Sequence, residues 1–490
     1  MMYALLMPLF AFLAAAPLPP SQSIVLPMQP LVVGHNSTDD DGFCIDKVSW
    51  SDGYASRRSA ALVHNDVQDP MGFWGGYVRT YTLRTPQGLR QCTGSLKSQP
   101  GFGYTVNHFP GDVNSSRNAK GDSWRWVLQG PYHAILEQSW TYPLGDYNVK
   151  ATVQWLFATG RSHPLYAVTF DSSGAPPNGI RADSRAPYGD IGWDGDAGSN
   201  VDGVAWGDRY VFRTLGKPVT VDTGWDYTKP NTVPYTLAWS ESADAEMGLV
   251  QTQTEDQHDA GGYAGYKLWG TRSRQGPMPD PATWPYQINQ WELPYTSTSK
   301  RMAWGLNYGA VGQTCYSSLG NDRVLSGYPY QSYSTFVVIG AHSRQEVKGQ
   351  VRQIEAVQRA TFKAISGGHT NTSGPGGVGR HDDVAWDKPG CNPIYASFEA
   401  TFDGGQQPLA LHIALDGNQA LNDTLVVVHN WDDPKPELTL NGKKLVLGVG
   451  AAVSFDAPSR TLWLSLFEPV QPGVTSLTLT PACLGQKAQG

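Results

Sequence analysis

The sequence predicts an all-β protein: a large antiparallel β-sandwich, one amphipathic helix, then a small C-terminal β-sandwich. Three observations carry this. Apolar and polar residues alternate with period two over long stretches, the pattern of strands with one buried face. Helical periodicity is almost absent from residues 31–340. The composition is turn-rich and aromatic, with 54 Gly, 35 Pro, 23 Tyr and 17 Trp among 490 residues. Gly and Pro are numerous yet short of the share that marks low complexity.

The elements follow in order. Residues 4–16 (ALLMPLFAFLAAA) form an apolar run too short to cross ~30 Å of hydrocarbon. With small residues after it, the run reads as a secretory signal, 1–16, followed by a Pro-rich leader, 17–30. Residues 31–365 are expected to form the large sandwich. Its clearest strands are AILEQSWTY (134–142), YNVKATVQWLF (147–157) and LYAVTF (165–170), a three-stranded meander. In the second, Val149, Ala151, Val153, Trp155 and Phe157 share one face, and Lys150, Thr152 and Gln154 form the wetter one. GYVRTYTL (76–83), DRYVFRTL (208–215), RMAWGLNYG (301–309) and STFVVIG (334–340) read the same way. A closing helix is expected over 343–365, with Ser343 and Glu346 at capping-box spacing and an apolar stripe of Val347, Val351, Ile354, Val357 and Phe362. SGGHTNTSGPGGVGR (366–380) reads as a Gly-rich linker. Residues 381–490 then form the small sandwich, with Asn441-Gly442 suited to a type I′ hairpin turn.

Charge narrows the class. The formal net charge is −7, and only 16% of residues are charged. Nucleic acid and anionic membranes demand a basic face, so neither is an expected partner. No run of 18 apolar residues exists to span a bilayer. Nucleophile-elbow, zincin, P-loop and dinucleotide-binding motifs are absent from the sequence. The five cysteines are Cys44, Cys92, Cys315, Cys391 and Cys483, none in a CxxC. Pairing within segments would join Cys44 to Cys92 and Cys391 to Cys483; the connectivity stays open.

Aromatic residues beside glycines and polar groups suggest a sugar site. Trp74 (FWGG), Trp193 (IGWDGD) and Trp291 (NQWELPY) stand in such settings. An indole can stack on the CH face of a pyranose while neighbouring polar groups bond its hydroxyls. Residues 251–269 crowd Gln257, His258, Asp259, Tyr263 and Lys267 around AGGYAG. A histidine beside a carboxylate is poised as a general base. Arg185, Tyr188 and Asp190 could face the same cleft. Glu292 beside Trp291 could have its pKa raised, as a general acid needs. Asp194, Asp196, Asn200 and Asp202 resemble a calcium loop, lacking the closing Glu of an EF-hand. No cofactor is required; calcium is an option.

The strand style of YNVKATVQWLFATGRSHPLYAVTF resembles the galactose-mutarotase-like β-supersandwich domains, over roughly residues 31–365. A supersandwich followed by a small β-sandwich is similar to secreted polysaccharide-active enzymes, including lyases of the rhamnogalacturonan type. That resemblance implies β-elimination beside a uronate. No lyase signature matches residue by residue, so no catalytic residue is carried over. The expected function is a secreted polysaccharide-degrading enzyme. In elimination His258 would be the base, oriented by Asp259, with Tyr263 as acid. In hydrolysis by paired carboxylates Glu292 would be the acid. A non-catalytic carbohydrate-binding surface protein is the third reading. The partner in all three is a polysaccharide or oligosaccharide.

Overall fold

The computed structural model describes residues 28–70, 72–94, 101–108, 119–144, 147–171, 173–174, 183–189, 191–193, 203–206, 235–252, 303–304, 330–381, 383–386, 388–405 and 407–481. In chain order the first strands are β1 (Val32–Thr38), β2 (Cys44–Ser51), β3 (Arg57–Val63), β4 (Val78–Thr85), β5 (Gly88–Thr93) and β6 (Phe102–His108). The meander follows as β7 (Gly121–Gln129), β8 (His133–Leu144), β9 (Tyr147–Ala158) and β10 (Leu165–Asp171). Next come β11 (Asp183–Gly189), β12 (Ile191–Trp193), β13 (Gly203–Trp206), β14 (Tyr235–Ser240), β15 (Ala245–Gln251), β16 (Ala303–Trp304) and β17 (Tyr330–Gly340).

These strands build two antiparallel sheets. One runs β1-β2-β3-β4-β5-β12-β16, with β6 and β11 attached beside β4; the other runs β13-β14-β15-β17-β10-β9-β8-β7. Their inner faces share one apolar core. Val48, Trp50, Leu62 and Tyr81 of the first meet Trp140, Val153, Trp155 and Phe157 of the second. The alternation read in β9 is therefore what places these side chains between the sheets. Among the described strands, β1 and β7 are edges, at one mouth of the sandwich.

The second sheet is covered on its other face too. Leu156, Leu165 and Val338 pack there against Val347, Val351 and Ile354 of the helix α1 (Glu346–Arg359), and against Leu425, Val427 and Trp463. The helix is shorter than the expected 343–365. Gln345, in the left-handed region at φ 52°, precedes it, and no side chain caps it. Ser343 instead bonds Asp244 through both its N–H (2.6 Å) and its hydroxyl (2.9 Å). Glu346 is drawn away to the buried Arg58 guanidinium at 2.9 Å. Ala360 turns extended, and Phe362 sits in a strand, Thr361–Ser366, inside the C-terminal core.

That core lies between two small sheets. One contains Thr361–Ser366, Leu409–Leu415, Gly473–Thr480, Glu437–Leu440 and Lys443–Lys444. The other is built around Ser397–Phe402, Thr424–His429, Thr461–Leu466 and Ala451–Asp456. Asn441 and Gly442 both take positive φ, as the hairpin required. The Gly-rich run 366–380 is not a bare linker. It contains strands Gly368–Thr370 and Ser373–Pro375, and Gly377 lies so close to Ser332 and Thr169 that a Cβ would collide with their hydroxyls. Cys44 keeps a free thiol, so the expected Cys44–Cys92 bond is absent; Cys483 lies outside the described residues.

Candidate active-site cleft at the sandwich mouth

Each inner stripe changes from apolar to polar at the same level. In β2 the side chains of Trp50 and Val48 lead outward to Asp46, and in β3 Ala60 and Leu62 lead to His64 just past the strand. Val33 of β1 leads to His35. In β7 the same face carries Trp126 and Trp124, which pack against the edge of the core. The result is an open cleft of about 590 Å³ lined by these polar side chains together with Asp66, Lys120, Asp122 and Arg125.

Asp46 is the hub, and only 2% of it is exposed. His64 Nε2 donates to Oδ1 at 2.9 Å, and the indole N–H groups of Trp126 (2.7 Å) and Trp124 (3.0 Å) donate to Oδ2. His35 Nδ1 lies 3.3 Å from the same Oδ2. A bulge in β1 puts Asn36 at φ 51° and turns its N–H onto Oδ1 at 2.9 Å. Burial opposes the charge on Asp46, but the bonds from His64, Trp126, Trp124 and Asn36 outweigh it. They hold the carboxyl well below the ordinary carboxylate range.

An ionised carboxylate only accepts. His64 therefore presents Nε2–H to Asp46, and in its neutral form carries the basic lone pair on Nδ1. Its ring is 14% exposed and stacks on Trp124 at 4.6 Å between centroids. A histidine oriented by a buried carboxylate at an open cleft is the arrangement of a general base. Lys120 lines the same cleft and holds its ammonium 5.8 Å from the Trp74 ring.

No protein-family model matches the sequence, and a comparison with curated proteins gives no match. Among solved structures, an alpha-mannosidase from Enterococcus faecalis V583 is 8% identical, with 86% of this chain and 45% of that chain covered and a TM-score of 0.30. A Paenibacillus xanthan lyase is 8% identical, over 89% and 37%, with a TM-score of 0.32. A protein in glycosyl hydrolase family 38 from Enterococcus faecalis is 8% identical, over 92% and 50%, with a TM-score of 0.29. The chain thus spans half or less of each of these proteins. Overlaps this slight leave the function to be reasoned from the cleft.

Of the residues singled out in the sequence, Trp74 is half-buried beside the cleft, touching Lys120. Trp193 is wholly buried in the core between the sheets, so its ring packs on protein. Arg185 and Tyr188 lie on β11, where they pair with Val106 and Tyr104 of β6. His258, Asp259, Tyr263, Glu292, Gln257, Lys267, Trp291, Asp190, Asp194, Asp196, Asn200 and Asp202 lie outside the described residues. Among the described residues no group of three His, Cys, Asp or Glu side chains is arranged to hold a metal ion. Sequence reasoning missed Asp46, His64, Trp124 and Trp126. The available signal was SWRWVLQ (123–129), an alternating strand with two indoles on one face.

Proposed function

We propose that the chain is a carbohydrate-processing enzyme whose reaction centre is the His64–Asp46 pair. The observation that carries this is the single buried carboxylate that binds His64 and two indole N–H groups at the floor of an open cleft. Aromatic edges, hydroxyl-bonding groups and an oriented base together suit a polyhydroxylated substrate.

The finer reading is β-elimination at a uronate. Lys120, which lines the cleft, would neutralise the carboxylate. His64 Nδ1 would then take the C5 proton, the C4–O bond would break as the C4–C5 double bond forms, and the departing oxygen would take a proton from water in the open cleft. Hydrolysis is the second reading, favoured by two further carboxylates, Asp66 and Asp122, on the same cleft. Incubation with a polysaccharide panel separates the two: elimination gives an ultraviolet-absorbing unsaturated end, and hydrolysis gives reducing ends without it. His64→Ala should lose ~10²–10⁴-fold in turnover. Should His258→Ala abolish activity while His64→Ala keeps it, the reaction centre belongs to residues 257–267 and this assignment is wrong.

A further inference from the structure

We propose that a second cavity, on the far side of β7, is a carboxylate-binding subsite that extends the cleft for an acidic oligosaccharide. This rests on the carbohydrate reading above and adds a second site to it. The cavity has a volume of about 570 Å³. Its floor is the outer face of β7, β8 and β9, carrying Arg125, Glu137, Lys150 and Gln154; its roof includes Gly377, Gly379 and Arg380 from the Gly-rich run. Ser123 and Arg125 line both cavities, so an elongated ligand can pass from one to the other over β7.

The charge is predominantly positive. Three cations, Arg125, Lys150 and Arg380, face one carboxylate, Glu137, although the chain as a whole carries −7. Glu137 is already neutralised. Arg125 Nε and Nη2 donate to its Oε1 at 2.9 and 2.5 Å, and Gln154 Nε2 donates to its Oε2 at 2.7 Å. Gln154 Oε1 in turn accepts the Tyr395 hydroxyl at 2.6 Å. Glu137 and Gln154 are thus buried and hydrogen-bonded, a pre-organised part of the floor. Lys150, exposed at the rim, has no carboxylate within salt-bridge distance among the described residues; its cross-strand neighbour Asp171 accepts the Ser173 N–H through Oδ1. His381, also exposed, lines the same wall. A ligand carboxylate gains charge-assisted bonds here, and a neutral sugar gains only hydroxyl bonds.

The test is calorimetric binding of hexagalacturonate, cellohexaose and a chondroitin sulfate hexasaccharide to the full chain at two salt concentrations. Hexagalacturonate should bind tightest, more weakly at high salt. Lys150→Gln with Arg380→Gln should weaken it by ~10-fold or more and flatten the salt dependence. Lys150→Glu, a single change at the exposed rim, should weaken it as well with an unchanged melting temperature. His64→Ala should bind hexagalacturonate as the native chain does while losing turnover. Unchanged affinity in the double and charge-reversed variants, equal binding of cellohexaose, or tighter binding of the sulfated sugar each overturns the subsite. Retained turnover in His64→Ala would overturn the reaction centre instead and leave the subsite standing.

Discussion

Replacing Asp46 by asparagine keeps the shape of the hub and removes its charge. The native carboxylate accepts from His64, Trp126, Trp124 and the Asn36 N–H at 2.7–3.0 Å. Bonds to a charged group are worth ~1.5–3 kcal/mol each and neutral ones ~0.5–1.5, so each bond weakens by about 1 kcal/mol. The new amide NH₂ must also face donors, and one unsatisfied buried group costs a further ~1–3 kcal/mol. Water entering the open cleft and the relief of a buried charge offset part of the resulting ~5–7 kcal/mol, so we expect a net loss of at least ~3 kcal/mol in urea unfolding at pH 7. The native carboxyl is depressed, so its contribution is present above the ordinary carboxyl pKa of ~3.9 and is lost as pH falls through the folded value. Native and variant stabilities should therefore converge only in strong acid. In function Asp46 is a positioning residue: His64 loses its fixed tautomer, and kcat should fall ~10²–10⁴-fold with KM little changed. A variant with native turnover and native urea midpoint would refute the hub.

Three further outcomes are expected. Burial with Arg161 nearby pushes His133 down to about 3, so the folded chain refuses a proton that the unfolded chain accepts below ~6.5. Stability present above that value should fall as pH drops towards 3, and His133→Gln, keeping bonds to Ser454 and Ser465, should flatten this limb in unfolding titrations. Iodoacetamide should label Cys44 in the native protein, faster as pH rises, because burial, Asp46 and Asp66 raise its pKa; Cys391, buried and pushed up to about 11, should react only after unfolding, and mass spectrometry of the alkylated peptides reads both. Gly377→Val should lift the Gly-rich run from Ser332 and Thr169, lowering the melting temperature and weakening hexagalacturonate binding without altering turnover on short substrates.

Much of the sandwich was legible because strand alternation is local. The stripe Val149–Phe157 and its polar counterpart Lys150, Thr152 and Gln154 are where the periodicity placed them, one in the core and one on the second cavity. The Asn441-Gly442 turn was legible for the same reason, since two adjacent residues decide it. The helix ends were not. Ser343 and Glu346 have the spacing of a capping box, but Asp244 and Arg58, distant in sequence, compete for them and win. The cleft was illegible for a related reason. Asp46, His64 and Trp124 come from β2, from just past β3 and from β7, and nothing in the local sequence of DKVSW or VHND announces that they converge.

The strand that joins the two cavities is also exposed to error in register. Along β7, Trp124 and Trp126 point to the Asp46 cleft, and Ser123 and Arg125 lie on the alternate positions that reach the second cavity. A slip of one residue would exchange these faces and dismantle both sites. Two register shifts bracket the stretch, between Gly121 and Ser123 and between Trp126 and Leu128. They isolate its pairing from the rest of the strand and add local twist. β7 is also a sheet edge among the described strands, so one row of its backbone N–H and C=O groups is free of a neighbouring strand. An edge of this kind invites aggregation unless it is bulged, charged or used. Here it is bulged, carries Arg125, and lies between two cavities. The same backbone groups can bond sugar hydroxyls crossing from one side to the other, so the edge left open by the sheet would serve as the middle of the binding path.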